Sequence, residues 1–354
     1  MSRKKKILFL YFELAGYTVA CMKHLADHFN AEVHVVNYPV NSVAPFEFSF
    51  GENITTYNRT TFTNEELIKL TVGINPDLIY VCGWADKGYL AVCKNIKKRI
   101  PVVMTLDNIW KGSIKQRIAT FVAPFYLQKL FTHCWVPGQP NADYAKRLGF
   151  KVNQIIQGLY CADVDLYNRY YESSKTEKEN KFPHRFVFVG RYTELKGTKE
   201  LWNVFSNLSE EERKGWELYC LGKGHLEANF PDKPFIKNIG FVQPDQLSTI
   251  IQQTGVFILP THYEHWGVVV QEYALAGYPL ICSTTTSAAT AYLSENENGF
   301  FCEPQNESSL KEALLKIINS DDATLIAMMK KSHAKGNINT PQKWAETLIQ
   351  LIKS

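Results

Sequence analysis

Gly255-Val-Phe-Ile-Leu259-Pro260-Thr-His-Tyr-Glu264-His-Trp-Gly267-Val-Val-Val-Gln-Glu272-Tyr-Ala-Leu-Ala-Gly277 begins as a short apolar run and ends in a helical pattern. The run has the length of a buried strand, so the residues after Pro260 form a loop at a sheet edge. The spacing predicts a helix opening at about Trp266, whose first backbone N–H groups lack an intrahelical acceptor. Such a helix start attracts anions. Glu264 stands before the helix, and Glu272, eight positions on, stands about one and a half turns inside it. Carboxylates repel phosphate but accept hydrogen bonds from sugar or ribose hydroxyls. The combination suits a nucleotide sugar, with His265, Trp266, Gly267, Val268 and Val269 among the residues expected to bind it.

A second stretch, Phe186-Val-Phe-Val-Gly190-Arg191-Tyr-Thr-Glu-Leu-Lys196-Gly197, ends a strand in Gly-Arg and places a lysine five residues later, before another helical pattern. Both cations are expected at the carboxyl edge of a sheet, where open α/β sheets bind ligands. Breaking a bond to a diphosphate develops charge on the departing phosphate, and a fixed arginine, lysine and helix start stabilise that charge.

Outward from these stretches, short apolar runs alternate with helical patterns. Lys6–Tyr11, Glu32–Asn37, Leu78–Cys82, Val102–Thr105, Thr132–Pro137 and Lys151–Ile156 read as strands of a first parallel sheet. Residues 170–184 are almost all polar and read as an interdomain linker. The pattern restarts at Arg185 and continues through 216–221, 236–241, 255–259 and 279–282, with helices near 308–319 and 323–334 and a last helix after an Asn339-Thr340 cap. The expected organisation is a first Rossmann-like domain over 1–169, a linker over 170–184, a second over 185–340, and a terminal helix over 341–354.

Glu264-His-Trp-Gly267-x4-Glu272-Tyr-Ala-Leu-Ala-Gly277-Tyr-Pro279 and Gly190-Arg191-x4-Lys196-Gly197 resemble the signatures of the retaining glycosyltransferases of family 4, and the resemblance covers essentially the whole chain. It implies the α/β GT-B fold: two Rossmann-like domains facing each other across a cleft, the first on the acceptor side, with the terminal helix crossing back onto it. It also implies Arg191 and Lys196 on the donor diphosphate, Glu264 on a sugar hydroxyl and Glu272 on the ribose. No metal and no cofactor would be needed, the departing phosphate taking the acceptor's proton. Weaker matches are Gly16 after the first strand, Gly222 in Cys220-Leu-Gly222-Lys-Gly224, and Phe241-Val242 as a base-contacting loop. Two departures stand out. Asp107 occupies the place of a histidine that contacts the transferred sugar, and Thr284-Thr-Thr-Ser-Ala-Ala-Thr290 replaces a glycine-rich loop. The activity implied is sugar transfer from a nucleoside-diphosphate donor to a glycan or lipid-linked acceptor, in cell-surface polysaccharide or glycoconjugate synthesis. Its rivals are a GT-B nucleotide-sugar epimerase and a degenerate transferase serving as a partner subunit.

Composition bounds this reading. At 354 residues the chain is long for one core and natural for two. Its first apolar run is too short for a signal peptide core with a cleavage site, and no run approaches the ~20 residues of a spanning helix. The eight cysteines form no Cys-x-x-Cys pair, as expected of buried thiols in a reducing compartment. A net charge of +4 without an RNA-binding signature gives no case for nucleic acid. That charge is uneven, however. No acidic residue occurs from Asn108 to Ala142, where Lys111, Lys115, Arg117 and Lys129 interleave with Trp110, Ile114, Ile118, Phe121, Phe125, Tyr126 and Phe131. Residues 110–131 therefore read either as a core helix with a wet basic face or as a segment for an anionic membrane surface, the latter placing a cytoplasmic protein peripherally on the inner face. Asp163-Val-Asp165 and the His24/His28 pair mimic metal motifs without the surroundings these need.

Overall fold

The computed structural model describes residues 3–39, 46–96 and 99–353. The chain forms two compact units, Met1–Cys161 with Asn339–Ser354, and Ala162–Ile338. Each is a parallel sheet with helices between its strands.

The first unit runs β1 (Lys5–Leu10), α1 (Gly16–His28), β2 (Ala31–Asn37), β3 (Ile54–Asn58), α2 (Asn64–Ile74), β4 (Leu78–Val81), α3 (Lys87–Ile96), β5 (Val102–Thr105), α4 (Ile114–Leu130), β6 (His133–Val136), α5 (Gln139–Arg147) and β7 (Ile155–Gln157). Its seven strands are ordered β3-β2-β1-β4-β5-β6-β7, so the order reverses between β1 and β4. The central strands are near-continuous apolar runs because helices cover both faces of the sheet. Only the end of the expected 151–156 strand is strand; Val152–Gln154 is a 3₁₀ turn. The helix Pro341–Lys353 belongs to this unit, and Trp344 explains why. Its ring stacks on Trp135 at 5.3 Å and on Phe9 at 6.0 Å, and its Nε1 donates to the Leu159 carbonyl at 3.0 Å.

The second unit runs α6 (Val164–Asn180), β8 (Arg185–Val189), α7 (Thr198–Ser206), α8 (Glu210–Arg213), β9 (Glu217–Leu221), β10 (Ile236–Gly240), α9 (Ser248–Gln253), β11 (Val256–Leu259), α10 (Val268–Leu275), β12 (Leu280–Ser283), α11 (Ala289–Tyr292), β13 (Gly299–Cys302), α12 (Glu307–Ile318) and α13 (Asp322–Gly336). The strand order is β10-β9-β8-β11-β12-β13, reversing between β8 and β11.

The expected linker over 170–184 is instead mostly α6, an integral helix of the second unit. Its buried stripe is Val164, Tyr167, Tyr170, Tyr171, Ser174 and Lys178, a helical period written in polar-tipped side chains. Tyr171 stacks on His333 with ring centres 3.6 Å apart, the Tyr170 hydroxyl donates to the Pro244 carbonyl at 2.7 Å, and the Lys178 ammonium lies 3.9 Å from the Tyr278 ring centre. Burial pulls the Lys178 amine down to about 7.

All eight cysteines are free thiols and seven are buried. Among the described residues no helix is long and apolar enough to cross a membrane.

Candidate functional site

Open α/β sheets bind ligands where the strand order reverses, beyond the carboxyl ends of the strands. In the second unit that point lies between β8 and β11, whose ends carry Gly190-Arg191 and Pro260 to Glu264. The two strongest sequence motifs are thus the two loops that flank the reversal.

Glycine makes their approach possible. Gly197 has φ +67° and caps α7, and a Cβ there would lie 2.0 Å from the Pro260 carbonyl oxygen. The two loops touch through backbone at that residue. The contact is locked by the buried Thr261, whose hydroxyl donates to the Leu195 carbonyl at 2.6 Å, and by the His262 N–H, which donates to the same carbonyl at 2.9 Å. The His262 ring bonds Glu200 at 2.7 Å, so this histidine orders the loop.

Across this junction the Lys196 ammonium pairs with Glu264 Oε2, both side chains being partly buried. Glu264 Oε1 makes no hydrogen bond within the described residues. The residue is held by backbone as well: its N–H donates to the Thr285 carbonyl at 3.3 Å, and its carbonyl accepts from Ser287 N–H and Oγ at 3.4 and 3.3 Å. The threonine-rich loop that departs from the family pattern therefore buttresses Glu264. Arg191, by contrast, is exposed and has no ion-pair partner among the described residues.

The helix opens two residues later than expected. Gly267, at φ +92°, is the N-cap of α10, and a Cβ there would press on Glu264 Cγ at 2.9 Å. Gly267 has no capping side chain, and the first intrahelical bond is Val270 N–H to the Gly267 carbonyl at 3.0 Å. Val268 and Val269 therefore begin the helix with donors that no helical carbonyl takes. Trp266 is buried against this turn, and its indole N–H has no partner among the described residues. His265 packs edge-on to Tyr263 at 4.8 Å, with Nδ1 3.3 Å from the Tyr263 hydroxyl.

Glu272 lies on the partly buried side of α10 beside the buried Tyr167 phenol of α6. Burial holds its carboxyl up to about 7, with the nearby Tyr167 hydroxyl opposing the rise and the Asp163 charge adding to it. Tyr167 was not foreseen. It sits in Asp163-Val-Asp165-Leu-Tyr167, which stands out in sequence only as a mimic of a metal motif. Asp163 is the N-cap of α6, accepting from Leu166 N–H at 3.1 Å.

Gly190, Gly222 and Gly224 pack the ends of β8 and β9 together. The Gly190 N–H donates to Leu221 at 3.0 Å, Gly222 (φ +141°) would place a Cβ 1.9 Å from the Gly190 carbonyl oxygen, and Gly224 would place one 2.3 Å from that of Tyr192. The Gly222 N–H donates to the Gly240 carbonyl at 2.9 Å, so this turn fixes the start of the Phe241-Val242 loop, which is partly exposed.

The remaining predicted residues lie in the first unit. Gly16 starts α1, whose N-cap Ala15 offers no side-chain acceptor. Asp107 follows β5; its Oδ2 accepts from the Tyr160 hydroxyl at 3.0 Å. Tyr160 in turn packs edge-on to Tyr17 at 5.7 Å. His24, flagged with His28, bonds Gln342 at 2.9 Å.

Residues 171–335 match the family model described as glycosyl transferases group 1. An uncharacterised glycosyltransferase of Methanocaldococcus jannaschii is 25% identical over 140 residues, 38% of this chain and 35% of that protein. The chain spans from 35% to 49% of the length of the first three curated relatives that it matches. Among solved structures, Anabaena HepE in complex with UDP and glucose has a TM-score of 0.71 at 16% identity, over 98% of this chain and 100% of that one. Sucrose-phosphate synthase from Thermosynechococcus elongatus has a TM-score of 0.74 at 16% identity, over 99% and 98%. The chain therefore has the GT-B fold of two Rossmann-like units, and over residues 171–335 it is similar to the glycosyl transferases of group 1.

Proposed function

We propose that the protein is a retaining, metal-independent glycosyltransferase of the family 4 type, moving a hexose from a nucleoside diphosphate to a glycan or lipid-linked acceptor in cell-surface polysaccharide or glycoconjugate synthesis. The observation that carries this reading is the Lys196–Glu264 pair beside the uncapped start of α10 at the strand reversal of the second unit, where Arg191 follows the end of β8.

In this reading Arg191, Lys196 and the N–H groups of Val268 and Val269 hold the diphosphate. They stabilise the charge that grows on its leaving oxygen as the bond to sugar C1 breaks. The acceptor oxygen bonds to C1 on the same face, and its proton passes to the departing phosphate. The pairing of Lys196 with Glu264 aims the ammonium at this edge and leaves Glu264 Oε1 to accept from a sugar hydroxyl. Glu272 accepts from the ribose diol, Phe241-Val242 flank the base, and Asp107 contacts the transferred sugar. A lipid-linked acceptor would bring the protein to the inner face of the membrane.

Nucleotide release from a panel of UDP and GDP sugars, with and without glycan or lipid-linked acceptors, tests the proposal. Release that needs an acceptor supports transfer. Interconversion of donor sugars without acceptor indicates an epimerase, and binding without turnover indicates a degenerate partner subunit; either overturns it.

A further inference from the structure

Helix α4 is apolar on two opposite faces, and the protein covers one of them. At about 100° per residue, the buried Ala123, Leu127 and Leu130 fall on one side, which packs toward α3 and the core of the first unit. Ile114, Ile118, Phe121, Val122, Phe125 and Tyr126 fall on the other, and all six are exposed, Phe121 and Ile114 at 77% and Phe125 at 72%. A single exposed phenylalanine is ordinary; a continuous row along a helix of 17 residues is not.

The charges around this row are of one sign. Lys115 and Lys129 project within the exposed sector and Arg117 at its edge, all three exposed and, among the described residues, without an ion pair. No Asp or Glu occurs from residue 108 to 142. The structure also sharpens the segment read from sequence. Trp110 packs against Tyr144 at 5.8 Å beneath the Arg147 guanidinium at 4.8 Å, and Phe131 is fully buried, so neither belongs to the exposed row of α4.

We infer that the outer face of α4 docks the protein flat on an anionic lipid bilayer, its aromatic and aliphatic row entering the acyl boundary while Lys115, Arg117 and Lys129 meet lipid phosphates. A second copy of this chain fits the face poorly, because an isologous contact sets these three cations against their own images. The surface rests on the reading of a membrane-borne acceptor for its purpose. Its binding is nevertheless measured without turnover, so either can fail alone.

Co-sedimentation of the full chain with mixed phosphatidylcholine–phosphatidylglycerol vesicles and with pure phosphatidylcholine vesicles tests the inference. Partition to the anionic vesicles is expected, with release by salt. Lys115→Glu/Arg117→Glu/Lys129→Glu should weaken it on the order of 100-fold, and Phe121→Ser/Phe125→Ser by roughly tenfold or more. All five positions are exposed, so melting temperature and nucleoside-diphosphate binding should stay as in the parent. Equal partition to both vesicle types, or unchanged partition of the triple variant, would overturn the inference. So would a concentration-dependent dimer abolished by Phe121→Ser/Phe125→Ser in a protein that ignores vesicles.

Discussion

The carboxyl edges of the two sheets occupy the same place in the same βα frame and are furnished differently. Between β8 and β11 stand an exposed arginine, a lysine–glutamate pair and a glycine-capped helix start. Between β1 and β4, with β5 alongside, stand Tyr11, Tyr80 and Cys82, ringed by Tyr17, Tyr160 and Asp107. The Tyr11 and Tyr80 rings stack at 5.9 Å, and burial drives both phenols, like that of Tyr160, well above their ordinary range. Backbone donors and fixed cations suit a diphosphate, whose charge must be met wherever it goes. Phenol hydroxyls beside the Asp107 carboxylate suit hydroxyl groups. A common frame thus leaves chemistry to the residues at the strand ends.

The largest effect that would break this contrast is on transfer. Arg191→Ala or Lys196→Ala should each raise the barrier by about 3 kcal/mol, roughly a hundredfold in rate, with the fold intact. Near-parent rates in both would remove the second unit's claim to the diphosphate. Gly222→Ala should cost about 2 kcal/mol or more of stability, since φ +141° is strained for alanine and the new Cβ meets the Gly190 carbonyl; an unchanged melting temperature would show that the β8–β9 turn is looser than described. Asp107→Asn keeps the shape and the contact with Tyr160 but removes the charge. It should slow transfer by about tenfold while leaving nucleoside-diphosphate affinity unchanged, and a loss of that affinity would contradict the division between the two edges.

Glu272 gives a pH signature confined to the second unit. Its carboxyl, held up to about 7 in the folded protein against ~4.3 when unfolded, makes ionisation costly to the fold. Stability should fall as pH rises from about 4 to about 7 and level off above. Ribose hydroxyls donate best to the ionised form, so nucleoside-diphosphate affinity should rise over the upper part of that window. Glu272→Gln should flatten both profiles, and Tyr167→Phe should move the midpoint upward, because the phenol favours the carboxylate. Profiles unchanged by either substitution would show that Glu272 titrates elsewhere.

How much of this was legible in the sequence depended on whether burial was written in apolar residues. Strands such as Val256–Leu259 and the loops at Gly190-Arg191 and Glu264 announced themselves through apolar runs and spacing. Helix α6 did not, because its buried stripe is made of tyrosines, a serine and a lysine, whose polar tips resemble those of a solvated linker. β3 escaped for a related reason: as an edge strand, Ile54-Thr-Thr-Tyr-Asn58 buries only Ile54. The Lys196–Glu264 pair and the approach of Tyr167 to Glu272 were out of reach, since no local pattern reports proximity across 68 or 105 residues of chain. The second face of α4 was half legible: its charge could be counted, but which aromatics stayed outside required the packing of Trp110 and Phe131.

Isothermal titration of UDP and GDP into the parent protein and into Arg191→Ala and Lys196→Ala, all in excess chelator, tests the central claim most directly. The account predicts that one of the two nucleotides binds the parent without a divalent cation and that each substitution weakens it by about tenfold or more. Binding that requires a divalent cation, or that survives both substitutions unchanged, would contradict it.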